Sequence, residues 1–180
     1  MKTTILIGRH DESADTTTEL TSADQFREII ERFRDAKGDE VIFEFGYCRG
    51  GDPSKAFELI DLILASKKQV VAKAKGELLA SAAAYVFISC KKRLVPLTEG
   101  FRIKIHPIQL SLSSAHLDSE GRIPRKAYRR LLVLNKKKAA LLKLRTKLTD
   151  EQVAHILADK GDTSFTWEQA ITAELADEVL

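Results

Sequence analysis

Three polar side chains and one glycine pair, far apart in the chain, contain the parts that acyl transfer needs. That chemistry requires a nucleophilic oxygen, a base that accepts its proton, a group that orients the base, and N–H donors for the developing oxyanion. A hydroxyl is available at Ser81, an imidazole at His106 and a carboxylate at Asp162. The pair Gly50-Gly51, which follows a β-prone run, offers backbone N–H groups.

The backbone expected around these residues suits the same chemistry. Ser81 lies near the start of an apolar stretch that predicts a buried helix, where free N–H groups and the helix dipole favour negative charge. Because glycine permits a close backbone approach, one N–H group of the pair Gly50-Gly51 and the N–H group of Ala82 form a candidate oxyanion hole. The candidate substrate-binding residues beside it are Gly50, Asp52 and Pro53.

Each of these residues also has a simpler interpretation when it is taken alone. A serine in an alanine-rich helix is usually a packing residue, and a glycine pair after a strand is usually a turn. A histidine at a strand end is commonly structural, and an aspartate in a loop is commonly a solvated cap. The order and spacing of the four segments favour the catalytic interpretation.

Length and composition limit the classes of protein to consider. A chain of 180 residues with 44% hydrophobic and 31% charged residues predicts one globular domain over residues 1–180. The N-terminal apolar run is too short for a signal peptide and no window is long enough to span a membrane, so a cytoplasmic location is expected. The two cysteines and four histidines show no zinc-ligand spacing, and no metal or other cofactor is expected.

Hydrophobic periodicity predicts an α/β fold, because strand–turn–helix units recur in the first half of the chain. The predicted strands are 3–7, 41–45, 69–74, 93–96 and 101–106. The predicted helices begin near Ser22, Ser54, Gly76, Pro124, Thr149 and Thr166. The helix from Pro124 is the longest and extends to Leu148, and Thr166 with Gln169 predicts a capping box for the last helix.

Several segments resemble those of ClpP peptidases. The run 50–61 is similar to the family's glycine-pair loop and the helix after it, and 76–82 to its nucleophile segment. The segment 105–107 resembles the one that holds the base, at the interval of 25 residues from Ser81 that the family leads one to expect, and 162–180 resembles the closing segment with the acid. The resemblance covers the chain from Val41 to its C-terminus. It implies a ClpP/crotonase-type fold of repeated β-turn-α units with a protruding handle helix at about 124–148.

The resemblance also implies a serine endopeptidase that works through an acyl-enzyme. Ser81 would be the nucleophile, His106 the general base and Asp162 the orienting acid, with Gly51 and Ala82 donating to the oxyanion. The implied substrate is a peptide or an unfolded protein, and the hydrolysis itself needs no ATP. The implied assembly is a homo-oligomeric ring stacked through the handle helix, with an AAA+ ATPase as a candidate unfolding partner.

The segment 121–149 is strongly basic. It has no acid and eleven basic residues, which are Arg122, Arg125, Lys126, Arg129, Arg130, Lys136, Lys137, Lys138, Lys143, Arg145 and Lys147. Lys and Arg can bind nucleic acid by neutralising phosphates, but Tyr128 is the one aromatic residue there that could stack on a base. A solvated helix face is therefore expected, and nucleic acid is not an expected partner.

Two other functions are compatible with the same residues. Arg49 places a bulky cation next to the glycine pair, and Pro107-Ile108 follows His106 where the family usually has Gln-Pro. These features are compatible with a catalytically silent structural or adaptor subunit. The related crotonase fold also builds an oxyanion hole from two backbone N–H groups, which keeps an acyl-CoA enzyme as a third hypothesis.

Overall fold

Two sheets form the framework of the chain. The computed structural model describes residues 1–9, 23–107, 124–158 and 162–180. Within them, the larger sheet contains β1 (Lys2–Ile7), β2 (Glu40–Phe45), β3 (Gln69–Ala74), β5 (Lys92–Val95) and β8 (Glu178–Val179). The smaller sheet contains β4 (Leu78–Ala80), β6 (Arg102–Ile105) and β7 (Thr163–Phe165).

The strand order differs between the two sheets. The larger sheet has the order β1-β2-β3-β5-β8, and all its neighbouring strands are parallel. In the smaller sheet, β6 lies between β4, which is parallel to it, and β7, which is antiparallel. The middle strands β2 and β3 are buried along most of their length, as is typical of parallel strands with both faces covered.

Helices follow the strands and cover the sheets. The described residues contain α1 (Ala23–Asp35), α2 (Pro53–Ala65), α3 (Ser81–Ser89), α4 (Arg125–Arg145), α5 (Asp150–Ala158) and α6 (Trp167–Thr172). The helix α3 is the most enclosed of them, because every side chain from Ala82 to Ser89 is buried. It packs against both α2 and α4, so it lies in the interior of the protein between other elements.

Most predicted elements are confirmed, and one is corrected. The predicted helix from Gly76 does not begin there: Leu78–Ala80 is the strand β4, and the helix begins at Ser81. Leu79 and Ala80 are buried beside their partner strand β6, and this pairing outweighs the helical pattern of the sequence. The short strands β7 and β8 were not predicted.

The predicted capping box is confirmed, because Thr166 and Gln169 exchange side-chain-to-backbone hydrogen bonds.

The long helix α4 is confirmed near its predicted bounds, and its fully buried side chains all lie in its C-terminal half. Its buried residues are Lys138, Leu141 and Leu142, whereas most side chains of its first half are exposed. The predicted solvated face is confirmed for most basic residues of this segment that the structure describes, whereas Lys138 is buried and departs from the prediction. Within the described residues, no helix is both long and apolar enough to cross a membrane.

Candidate active site

Ser81 stands at a sharp junction between a strand and a helix. It follows β4 directly and is the first residue of α3, with a φ of 53° that places it in the left-handed region. Non-glycine residues adopt this conformation rarely, and such strain is commonly found at functional sites. Ala80, the N-cap residue, offers no side-chain acceptor to the first N–H groups of the helix. These N–H groups are therefore available to an anion next to the Ser81 hydroxyl.

The glycine loop is held against this junction by backbone hydrogen bonds. Cys48 donates to the Leu78 carbonyl and Ala80 donates to the Cys48 carbonyl, both at 2.9 Å. Gly50 has a φ of 104°, and a Cβ there would lie 2.6 Å from the Cβ of Ser81. Glycine is thus required at position 50 by both conformation and space.

A cavity of about 100 Å³ brings several predicted site residues together. Its wall includes Gly51, Pro53, Ser81, Ala82 and His106. The proposed nucleophile, the proposed base and both proposed oxyanion donors therefore border one small space. Gly50 is buried behind it against Ser81, whereas Asp52 and Asp162 are absent from its wall. No hydrogen bond joins the Ser81 hydroxyl to the His106 ring.

The ring of His106 has a defined tautomer in this arrangement. Its Nδ1 lies 2.6 Å from the carbonyl oxygen of Pro107. Since a carbonyl oxygen only accepts, Nδ1 carries the proton, and in the neutral ring Nε2 keeps its lone pair. The carbonyl of His106 itself accepts from Lys138 Nζ at 2.8 Å and from the Tyr85 hydroxyl at 3.5 Å.

Asp162 lies next to the strand pairing that carries His106. The antiparallel register of β6 and β7 pairs Ile105 with Thr163. If this register is continued by one residue beyond each strand, His106 lies opposite Asp162. The Asp162 side chain is exposed, and no hydrogen bond joins its carboxylate to the His106 ring. The backbone therefore supports the predicted proximity of the two residues, while the side-chain hydrogen bond of a triad is not made.

The residues around the glycine pair have other partners. Asp52 caps α2, since its Oδ1 accepts from the backbone N–H groups of Ser54 at 2.7 Å and Lys55 at 3.0 Å. Arg49 is exposed and turns toward Tyr47, donating from Nε to the phenol oxygen at 3.2 Å. The Arg49 guanidinium does not border the cavity at Ser81.

Lys138 is an ionisable residue of the cavity wall that the sequence interpretation did not assign to the site. Its side chain borders the same space as Ser81, and the residue is only 2% exposed. Burial lowers the pKa of its amine to about 7. The available signal was its spacing, because Lys138 shares one helical face with Leu134, Leu141 and Leu142.

A wider groove of about 530 Å³ lies between α2 and α4. Its wall includes Asp61, Arg130 and Lys137, and it contains none of the predicted site residues. Phe57 borders both this groove and the cavity at Ser81. The proposed nucleophile, Ser81, and the proposed oxyanion donors, Gly51 and Ala82, border the smaller cavity instead. Among the described residues, no cluster of three His, Cys, Asp or Glu side chains could hold a metal ion.

Solved structures share this architecture. ClpP1 from Listeria monocytogenes matches with a TM-score of 0.70 at 15% identity, covering 98% of this chain and 90% of that chain. A point mutant of the same protein matches with a TM-score of 0.72 at the same identity and coverage. No protein-family model and no curated protein matches the sequence. The predicted α/β, ClpP-like fold is therefore confirmed, at a sequence identity of only 15% to these proteins.

Proposed function

We propose that this protein is a serine endopeptidase that forms an acyl-enzyme on Ser81. One observation carries the proposal: a strained serine at the N-terminus of a buried helix shares a small cavity with the residues whose N–H groups could bind an oxyanion. A purely structural serine has no need of a left-handed backbone or of a glycine loop pressed against it. Both features support a site built to hold negative charge beside a hydroxyl.

The reaction follows from these positions. A base removes the proton of Ser81 while its Oγ attacks the carbonyl carbon of a peptide bond. The tetrahedral oxyanion accepts hydrogen bonds from the N–H groups of Gly51 and Ala82. The base then returns the proton to the leaving nitrogen as the C–N bond breaks, which leaves an ester on Ser81. Water, deprotonated by the same base, hydrolyses that ester and restores the hydroxyl.

The resemblance assigns the role of base to His106 and that of orienting acid to Asp162. The hydrogen bond from Nδ1 to the Pro107 carbonyl supports the first assignment, because it directs Nε2 to the role of proton acceptor. The strand register supports the second, because it carries Asp162 toward His106. A rotation of the ring away from the Pro107 carbonyl would be needed before Asp162 could accept from Nδ1. Both roles remain predictions.

The proposed substrate is a peptide or an unfolded protein, and the proposed assembly is a homo-oligomeric ring. Tyr128, Leu132 and Val133 support the assembly, because they are 51%, 43% and 55% exposed on the first half of α4. Apolar side chains grouped on a protruding helix are suited to contact another subunit. An AAA+ ATPase remains a candidate partner, by resemblance alone.

A fluorophosphonate probe tests the nucleophile. We expect the wild-type protein, in the assembly in which it purifies, to become covalently labelled at Ser81, as located by peptide mass spectrometry. Ser81→Ala should abolish labelling, because the reacting oxygen is removed. Ser54→Ala is the matched control and should label like the wild type, since Ser54 does not border the cavity. Labelling that persists in Ser81→Ala, or a wild type that never labels, would refute the proposal.

A catalytically silent subunit is the second candidate function. It is favoured by one observation, namely that no hydrogen bond links Ser81 to His106 or His106 to Asp162. The same probe separates the two candidates, because a silent subunit would assemble without reacting. The decisive result for it would be an intact oligomer that resists the probe, together with loss of assembly when Leu132 and Val133 are changed to Asp.

A further inference from the structure

The cavity at Ser81 holds a second basic group, the amine of Lys138. This residue lies on α4 and is only 2% exposed. Its side chain is therefore almost entirely removed from water. Its Nζ donates to the His106 carbonyl at 2.8 Å and lies 4.5 Å from the centre of the Tyr85 ring. These contacts fix the amine beside the space that Ser81 borders.

No carboxylate among the described residues forms an ion pair with this amine. Acids on the helices packed against α4 form ion pairs with other cations. On α2, Glu58 pairs with Lys55 and Arg34, and Asp61 pairs with Lys137; on α5, Asp150 pairs with Lys143. The facing titratable groups are Tyr85 on α3 and His106 after β6. Burial raises the pKa of Tyr85, so its phenol stays neutral and supplies no anion.

A buried ammonium without a counter-ion is costly, because an isolated charge loses its hydration. The molecule reduces this cost by keeping the amine partly neutral near pH 7. A neutral amine has two N–H groups and one lone pair. One N–H donates a hydrogen bond to the His106 carbonyl. Because that bond does not use the lone pair, the lone pair can accept a proton in the cavity.

Lys138 and His106 differ in the surroundings that would allow each side chain to act as a base. An imidazole that takes up the serine proton is normally stabilised by a carboxylate on its other nitrogen. Here the Nδ1 of His106 donates to a neutral carbonyl instead. A desolvated lysine needs no such partner, because its neutral form is already favoured.

We propose that the Lys138 amine is the general base that accepts the Ser81 proton, an inference that rests on the proposed function of Ser81 as nucleophile. The Oγ–H bond breaks as the Oγ–C bond forms, and the proton moves to Nζ. The resulting ammonium returns it to the leaving nitrogen of the peptide. His106 contributes its backbone carbonyl, which orients the amine.

The rate of fluorophosphonate labelling tests this role through two substitutions with different structural effects. Lys138→Arg keeps a cation that can donate to the His106 carbonyl but cannot act as a base at neutral pH. Lys138→Met keeps an apolar stem of similar length and removes the amine. We expect both variants to label about 100-fold more slowly than wild type or worse, as is typical when a general base is lost. Lys137→Met, on the exposed side of the helix, is the matched control and should label at the wild-type rate.

The pH profile separates a base from a merely structural residue. In the wild type the labelling rate should fall as the pH drops below about 7, because protonation of Lys138 consumes its lone pair. His106→Asn leaves the backbone carbonyl in place, so its remaining rate should fall at the same pH. Circular dichroism on every variant verifies that it is folded.

The outcomes distinguish this inference from the proposed function. If Lys138→Arg labels like the wild type while His106→Asn does not label, the base is His106 and the inference is wrong, although Ser81 remains the nucleophile. If Lys138→Arg retains the rate and Lys138→Met alone loses it, Lys138 has only a structural role. If the wild type itself never labels, the proposed function fails and the inference falls with it.

Discussion

Two buried cations in this molecule have opposite surroundings. Arg93 on β5 is 4% exposed and meets Asp177 through both its backbone N–H and its guanidinium, with contacts of 2.5 to 3.0 Å. Its third guanidinium nitrogen, Nη1, donates to the Arg145 carbonyl at 2.8 Å. Lys138 is 2% exposed and has one carbonyl acceptor and one aromatic ring.

The difference separates a cation that supports the fold from one that is suited to chemistry. Arg93 joins β5 to the segment before β8 and to the end of α4, and Asp177 compensates its charge. Lys138 has no such compensation, and its low pKa leaves it able to gain and lose a proton near neutrality. Burial alone therefore does not indicate the role of a charged residue, whereas the presence of a counter-ion does.

The largest expected loss of stability comes from removing the counter-ion of Arg93. Asp177→Ala should lower the free energy of unfolding by about 3 kcal/mol, because it leaves a buried guanidinium without its carboxylate. Urea unfolding measures the change. Glu178→Ala breaks the neighbouring exposed pair with Lys92 and should change stability much less. Equal losses in the two variants would remove the distinction between buried and exposed pairs.

Lys138→Met should not lower the free energy of unfolding at pH 7, in contrast to Asp177→Ala. The folded pKa of about 7 lies below the ordinary value of 10.5, so between these values the unfolded chain binds more protons than the folded one. Wild-type stability should therefore rise with pH through this window, by up to about 1.4 kcal/mol per pH unit from this group. The variant lacks that rise and should be at least as stable as the wild type at pH 7.

Urea titrations of both proteins across the same pH range isolate the contribution of Lys138, because every other titrating group is shared. The stability difference should be largest at pH 7 and shrink toward pH 10.5. A difference that does not vary with pH would mean that the amine is as protonated in the folded chain as in the unfolded one.

The smallest effect is expected for an exposed lysine one position earlier on the same helix. Lys137 pairs with Asp61 at 2.7 Å, with side chains 43% and 59% exposed. A double-mutant cycle with alanine at both positions should give a coupling of about 0.5 kcal/mol, since water screens such pairs. A coupling several times larger would show that the groove between α2 and α4 is less solvated than its exposure indicates.

Most of the fold could be predicted because its signals are local. The β-prone runs at β2 and β3, the amphipathic helix α2 and the capping box at Thr166 depend on residues a few positions apart. The strand β4 was missed because its three residues carry the same apolar pattern as the helix that follows. The strand β8 was missed because its two exposed residues carry almost no pattern.

The candidate site was predictable in part. The resemblance placed Ser81, Gly51, Ala82 and His106 in one site, and these residues do border one cavity. It could not be inferred that Asp52 caps α2 while the Asp162 side chain is exposed, because the position of a carboxylate depends on loop geometry that a residue type does not specify. Lys138 was taken for one of many surface cations, although its helical position matched the apolar face.

The sequence by itself determined most of the longer strands and helices, since periodicity, caps and turn residues act over a few neighbouring positions. Only the tertiary structure decided that Ser81 adopts a left-handed backbone, that Gly50 presses against it and that Lys138 turns inward. These features depend on contacts between segments that lie tens of residues apart in the chain. The protonation of a lysine depends on how many water molecules its packing excludes, and packing is a property of the folded chain alone.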